Sequence, residues 1–158
     1  MIRLPMESVH PLVVHFPIAL LLTALLLDGA AVACKRPGLH RVALWNLALG
    51  TLGAGVAVWT GHRAAEVAKH TFEIHQVMEL HRKLGLATLI LGSVVVAIRL
   101  LRRDRLGRGG RAATTLFMLT MVGTLVFGAH LGGRLVYEFG VGGSFGHPPA
   151  ETTSGHRH

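Results

Sequence analysis

Charge is scarce in this sequence, and negative charge scarcest. Asp, Glu, Lys and Arg make up 15% of the 158 residues, against roughly 25% in an ordinary soluble domain. Only 8 are acidic against 16 basic, a formal net charge of +8. Such an excess first suggests a nucleic-acid binder. That class interleaves its basic residues with polar and aromatic ones on an exposed face. Here they fall in short clusters between long apolar runs, so nucleic acid is excluded as a partner. Cysteine is nearly absent as well. The lone Cys34 excludes a disulfide scaffold and any CxxC metal or redox site. With no CxxCH, a covalently attached c-type haem is excluded too. The motifs GxSxG, HExxH, the P-loop and GxGxxG are missing.

Hydrophobic residues are abundant, 51% of the chain, and they concentrate in four runs at 16–34, 42–61, 84–101 and 112–133. Asp28 and Arg99 are their only charges. Each run has about the 20 residues that a helix needs to cross roughly 30 Å of hydrocarbon. In lipid the backbone must satisfy its own polar groups, so such runs are helical. A buried helix of a soluble bundle would carry a polar stripe at the helical period, and none is present. A signal peptide does not fit the first run, which is longer than the usual h-region and follows a nearly neutral flank.

The expected fold is therefore all-α, an integral membrane four-helix bundle. One domain covers 1–141, with spans at about 11–34, 41–62, 80–101 and 112–137, and a flexible tail follows at 142–158. The segment 62–83 has no Pro and no internal Gly and is rich in helix formers. It is expected to form a short interfacial helix between spans two and three. Arg108-Gly109-Gly110 reads as a turn.

The charges set the sidedness. The first and third connections hold Lys35, Arg36, Arg41, Arg99, Arg102, Arg103, Arg105, Arg108 and Arg111 against Asp104 alone. The other side holds Arg3, Arg63, Lys69, Arg82, Lys83, Arg134 and Arg157 against six acids. By the positive-inside rule the first and third connections are cytoplasmic and both termini lie outside.

The 11 histidines sort by that division. His10, His15, His62, His70, His75, His81, His130 and His147 fall at the outer face, His156 and His158 in the outer tail, and only His40 inside. From Lys35 back to His15, from Val42 to His62 and from Leu101 back to His81 is each time 20 residues, about 30 Å of helix. From Ala113 to His130 is 17 residues, about 25 Å. Each span thus carries one histidine into one layer. His10 lies about 140° around the helix from His15, so the two do not readily serve one site. A lone histidine of this kind is ordinarily interfacial; four at matched depth point to a ligand or proton-relay role.

Imidazole ligates haem iron, copper and zinc. Haem needs an axial His, room for a flat porphyrin and cations near its propionates. His15, His62, His81 and His130 are the candidate ligands, with His10, His70 and His75 secondary. Gly128 and Gly132 would make room, although close helix packing explains such glycines equally well. Arg63, Arg82 and Arg134 would meet the propionates, although snorkelling to the interface also accounts for them. Asp28, about 20 Å inward of His15, is expected to pair locally with Lys35 or the backbone. Asn46 is expected to bond between helices, and Trp45, Trp59, Tyr137 and Phe139 to sit in the aromatic belts.

The stretches HPLVVHFPIALLLTALLLD (10–28) and GAHLGGRLVYEFGVG (128–142) resemble the two signatures of a bacterial membrane family, domain of unknown function 2231. The likeness runs from His10 to Gly142 and takes in Thr60, Gly61 and His81. It implies four spans in the bacterial cytoplasmic membrane and a histidine-bearing periplasmic face. It also implies an association with respiratory or cytochrome-containing proteins. The expected function is a membrane b-type haem protein holding one or two haems, an oxidoreductase or electron-transfer subunit. Expected partners are the bilayer, quinone and a periplasmic redox protein, with a homodimer as the oligomer to look for. The alternatives are a copper or zinc binding or transport protein using the same layer, and a cofactor-free membrane scaffold.

Overall fold

A computed structural model describes residues 6–67, 71–102 and 106–141. The tail 142–158 and His70 lie outside the described residues. Four helices account for nearly all of the rest: α1 (Met6–Ala33), α2 (Gly38–Val67), α3 (Phe72–Leu101) and α4 (Arg108–Tyr137). All four are long and apolar enough to cross a membrane. The start of α1, the end of α2, the start of α3 and the end of α4 lie at one end of the bundle, the upper end. The α1–α2 and α3–α4 connections form the lower end.

No separate interfacial helix stands between α2 and α3 among the described residues. The helix formers expected to build one instead prolong α2 to Val67 and start α3 at Phe72. Continuing a helix satisfies backbone groups that a break would orphan, and nothing in 62–67 or 72–83 interrupts it. The Arg108-Gly109-Gly110 turn is likewise absorbed, as the first turn of α4 after Gly107. First-turn amides need no intrahelical acceptor, so two glycines cost little there.

Successive helices are antiparallel neighbours. The closest packing is within two hairpins, α1 with α2 and α3 with α4. The hairpins meet mainly through α2 and α3, and α1 touches α4 least. α1 and α3 are therefore diagonal. Leu21, Ala24, Leu47, Val95, Met118 and Met121 are fully buried at mid-depth. Leu26, Trp45, Leu52, Trp59, Ile90, Leu116 and Val126 are exposed. They face what must be lipid, which is as apolar as they are. Burial of oily surface therefore does not drive this assembly; close contact and polar bonds do.

The close contacts are made by small residues. A Cβ on Gly50 would lie 2.8 Å from Leu21 Cδ2 and 3.1 Å from Leu20 Cβ. One on Gly92 would lie 2.6 Å from Thr51 Oγ1. Thr88 and Thr124 join α3 to α4 through their hydroxyls, 2.9 Å apart. Asn46, expected to bridge helices, instead donates to Val42 O one turn back in its own helix. α1 ends with Lys35 at φ 53°. Arg36 N donates to Ala31 O and Lys35 N to Val32 O, the paired bonds of a Schellman cap.

Gly50→Val should overpack the α1–α2 seam and cost about 1–3 kcal/mol. Thermal unfolding in detergent checks this. Gly123→Val, where a Cβ meets nothing within 4 Å, is the control expected to change little.

Candidate functional site

Two polar clusters occupy the interior, one at each end. At the upper end His10 of α1 and His81 of α3 face each other across the diagonal. Their ring centres are 6.1 Å apart and their planes nearly perpendicular, at 84°. Both rings are half-buried. His10 Nδ1 lies 3.1 Å from Thr60 Oγ1, and the Thr60 hydroxyl donates to Ala57 O. The Thr60 proton is thereby committed, so Oγ1 accepts and His10 Nδ1 carries the hydrogen. His81 Nδ1 lies 2.8 Å from Gly128 O. A carbonyl only accepts, so His81 is protonated at Nδ1 as well. In the neutral ring Nε2 is then the lone-pair nitrogen on both residues.

Glycines seat the two rings. A Cβ on Gly61 would lie 2.9 Å from His10 Cε1, and one on Gly132 would lie 3.1 Å from His81 Cε1. The hairpins thus repeat one arrangement: His10 rests on Thr60 and Gly61 of its partner helix, and His81 on Gly128 and Gly132 of its own.

The structure does not bring the four matched-depth histidines together. Only His81 points inward. His15 is exposed and donates to Pro11 O at 2.7 Å. His62 is exposed, 3.7 Å from Glu66. His130 is exposed and stacks on Phe127. His75 is exposed on α3. Among the described residues no three His, Cys, Asp or Glu come close enough to hold one metal ion. Equal depth sets height along the bundle axis, not direction around each helix. His10, a secondary candidate because it diverges from His15 around the helix, is the one turned inward, and His15 is turned out.

The expected propionate partners are tied to acids of their own helices. Arg82 makes two 3.0 Å bonds to Glu79, and Arg63 lies 3.6 Å from Glu66. Arg134 donates to Glu138 at 2.8 Å. An open groove of about 170 Å³ between α2 and α3 is lined by Val58, His62, Arg82, Lys83 and Leu86.

The lower cluster takes one residue from each helix. Asp28 Oδ1 accepts from His40 Nδ1 at 2.8 Å and from Arg99 at 3.0 Å. A second Arg99 nitrogen donates to His40 O at 2.8 Å. Arg111 donates to His40 Nε2. Asp28, His40 and Arg99 are buried, Arg99 to 1% exposure. Asp28, expected to pair with Lys35 or the backbone, pairs with His40 and Arg99 instead. Lys35 lies beyond the end of α1, exposed, whereas Arg99 is one of the few cations inside the bundle.

A signal for both clusters exists in the sequence. Eighteen residues separate His10 from Asp28, and His81 from Arg99. That is about five whole turns, so each pair shares one helix face. A charge within a span must face the interior, so Asp28 and Arg99 carry His10 and His81 inward with them.

Four spanning helices around a polar-ended interior define a multi-pass membrane protein. The model of the family described as predicted membrane protein, DUF2231, matches residues 6–144, and the chain belongs to that family. No curated protein and no solved structure matches it.

Asp28→Ala should destabilise the bundle by about 3–5 kcal/mol, because it removes one partner of a buried ion pair and takes the acceptor from His40 Nδ1. Asp28→Ala combined with Arg99→Met should cost less than Asp28→Ala alone. Thermal melts of the single and double variants measure the difference.

Proposed function

We propose that the protein is a b-type haem protein of the bacterial cytoplasmic membrane, with His10 and His81 as axial ligands of a single haem. One observation carries the reading: two inward histidines on diagonal helices, each with Nδ1 committed to a fixed acceptor. A hydrogen bond at the far ring nitrogen is how proteins orient a ligating imidazole and set its tautomer. The spacing also fits. With a metal–nitrogen bond of about 2 Å, two imidazoles on opposite sides of one ion put their ring centres about 6 Å apart.

The donor count favours haem over the zinc alternative. A structural zinc site takes four protein ligands. Two imidazoles fall short of that, but they complete an iron whose other ligands come from the porphyrin. The α1–α4 seam, the least closely packed, is where a planar macrocycle would find room. Arg82, Arg134 and Arg63 would have to exchange their carboxylate partners to meet the propionates. Haem supplies one-electron redox chemistry. The chain's own part is to fix the two imidazoles and shield them from water. Electrons would pass between quinone and a periplasmic redox partner.

Optical spectra of the purified protein, produced with haem available, test the reading. A Soret band and sharpened bands on reduction by dithionite are expected. His10→Ala and His81→Ala should each abolish or shift them, while His15→Ala, His62→Ala and His130→Ala should leave them intact. A colourless protein without stoichiometric iron ends the haem reading. Copper or zinc found in its place by metal analysis would transfer the two histidines to the alternative.

A further inference from the structure

We propose that His40 is a proton-operated latch on the foot of α4, independent of any cofactor at the upper end. A guanidinium has only donors. Arg111 therefore requires an unprotonated Nε2 on His40, and the single ring proton sits on Nδ1, facing Asp28. A second proton on the ring can go only to Nε2. It converts the acceptor into a donor and sets two cations against each other where Arg111 now bonds.

The remaining contacts decide what moves. Among the described residues the charged groups bonded to His40 are Asp28 from α1, Arg99 from α3 and Arg111 from α4, and Arg41 follows it on α2. Asp28 still accepts from Nδ1–H, more strongly once the ring is charged. Arg99 still bonds to both Asp28 Oδ1 and His40 O. Protonation therefore tightens α1, α2 and α3 together and expels only Arg111. Among the described residues Arg111 makes the polar bond that ties the foot of α4 to another helix, and buried Thr114 packs one turn above it. Thr114, one turn above Arg111, bonds back to Gly110 O and Arg111 O of its own helix. Gly107 and Gly109 meet nothing that a Cβ would touch, and α4 has its weakest neighbour in α1. The latch is shut while His40 is neutral and opens as the ring gains its proton.

Amide hydrogen exchange on the full chain in nanodiscs tests this, corrected for the intrinsic effect of pH. On moving from about pH 8 to about pH 5, residues 112–118 should exchange about tenfold faster or more. That is the change expected for a lost charge-assisted hydrogen bond. Residues 20–28 of α1 should not follow. His40→Gln, which cannot be charged, should abolish the response, and so should Arg111→Gln, which removes the opposing cation. Nitrogen-detected NMR of His40 in the unmodified protein should show Nδ1–H and a bare Nε2 at neutral pH. Exchange that ignores pH overturns the proposal. So does a response that survives in His40→Gln, which would assign it to Asp28, or a proton found on Nε2 at neutral pH.

Discussion

The constraint on which this bundle depends is the burial of Asp28. A carboxylate within a span costs about 2.5–3.5 kcal/mol even by the mildest scale, and it must find partners among the other helices. It finds one on α3, Arg99, and one on α2, His40, whose far nitrogen takes Arg111 of α4. Every helix is tied to the others at one level. The four apolar surfaces have no preference for each other over lipid, so this cluster supplies a directional reason for them to meet in one rotation. Glycine and threonine seams then set how closely they approach.

The same constraint reaches the other end. A helix is stiff along its length, and about five turns separate Asp28 from His10 and Arg99 from His81. Orienting the acid and the guanidinium inward at the lower end orients two imidazoles inward at the upper end. There the partner helices present small or accepting groups: Thr60 and Gly61, and Gly128 and Gly132. A polar pair held in fixed tautomers at one end and an ionic quartet at the other, with an apolar plug of Leu21, Leu47, Val95, Met118 and Met121 between them, give the ends separate chemistry. The haem reading concerns the first and the proton latch the second.

Much of this was legible in the sequence. The four helices followed from run length and from the missing polar stripe, because lipid leaves the backbone no other solution. The histidine-rich end and the basic end followed from charge asymmetry. The choice among histidines did not. Matching depth placed His15, His62, His81 and His130 in one layer, yet three of these face outward. His10, ranked second for its angle to His15, is the one that meets His81. Asp28, which does not tolerate lipid, sets the rotation of α1 more strongly than a histidine, which tolerates an interface.

The sequence by itself determined the number of spans and which residues share each level, since these depend only on run length and on counting along a helix of known rise. The tertiary structure alone decided which residues on a level meet. Asp28 could have reached Lys35 nearby, and it bonds instead to His40 and Arg99, distant in the chain. Partnership across a bundle depends on how each helix is rotated and which helices are neighbours. Those choices are made by all four helices at once, through the buried charges that none of them can satisfy alone.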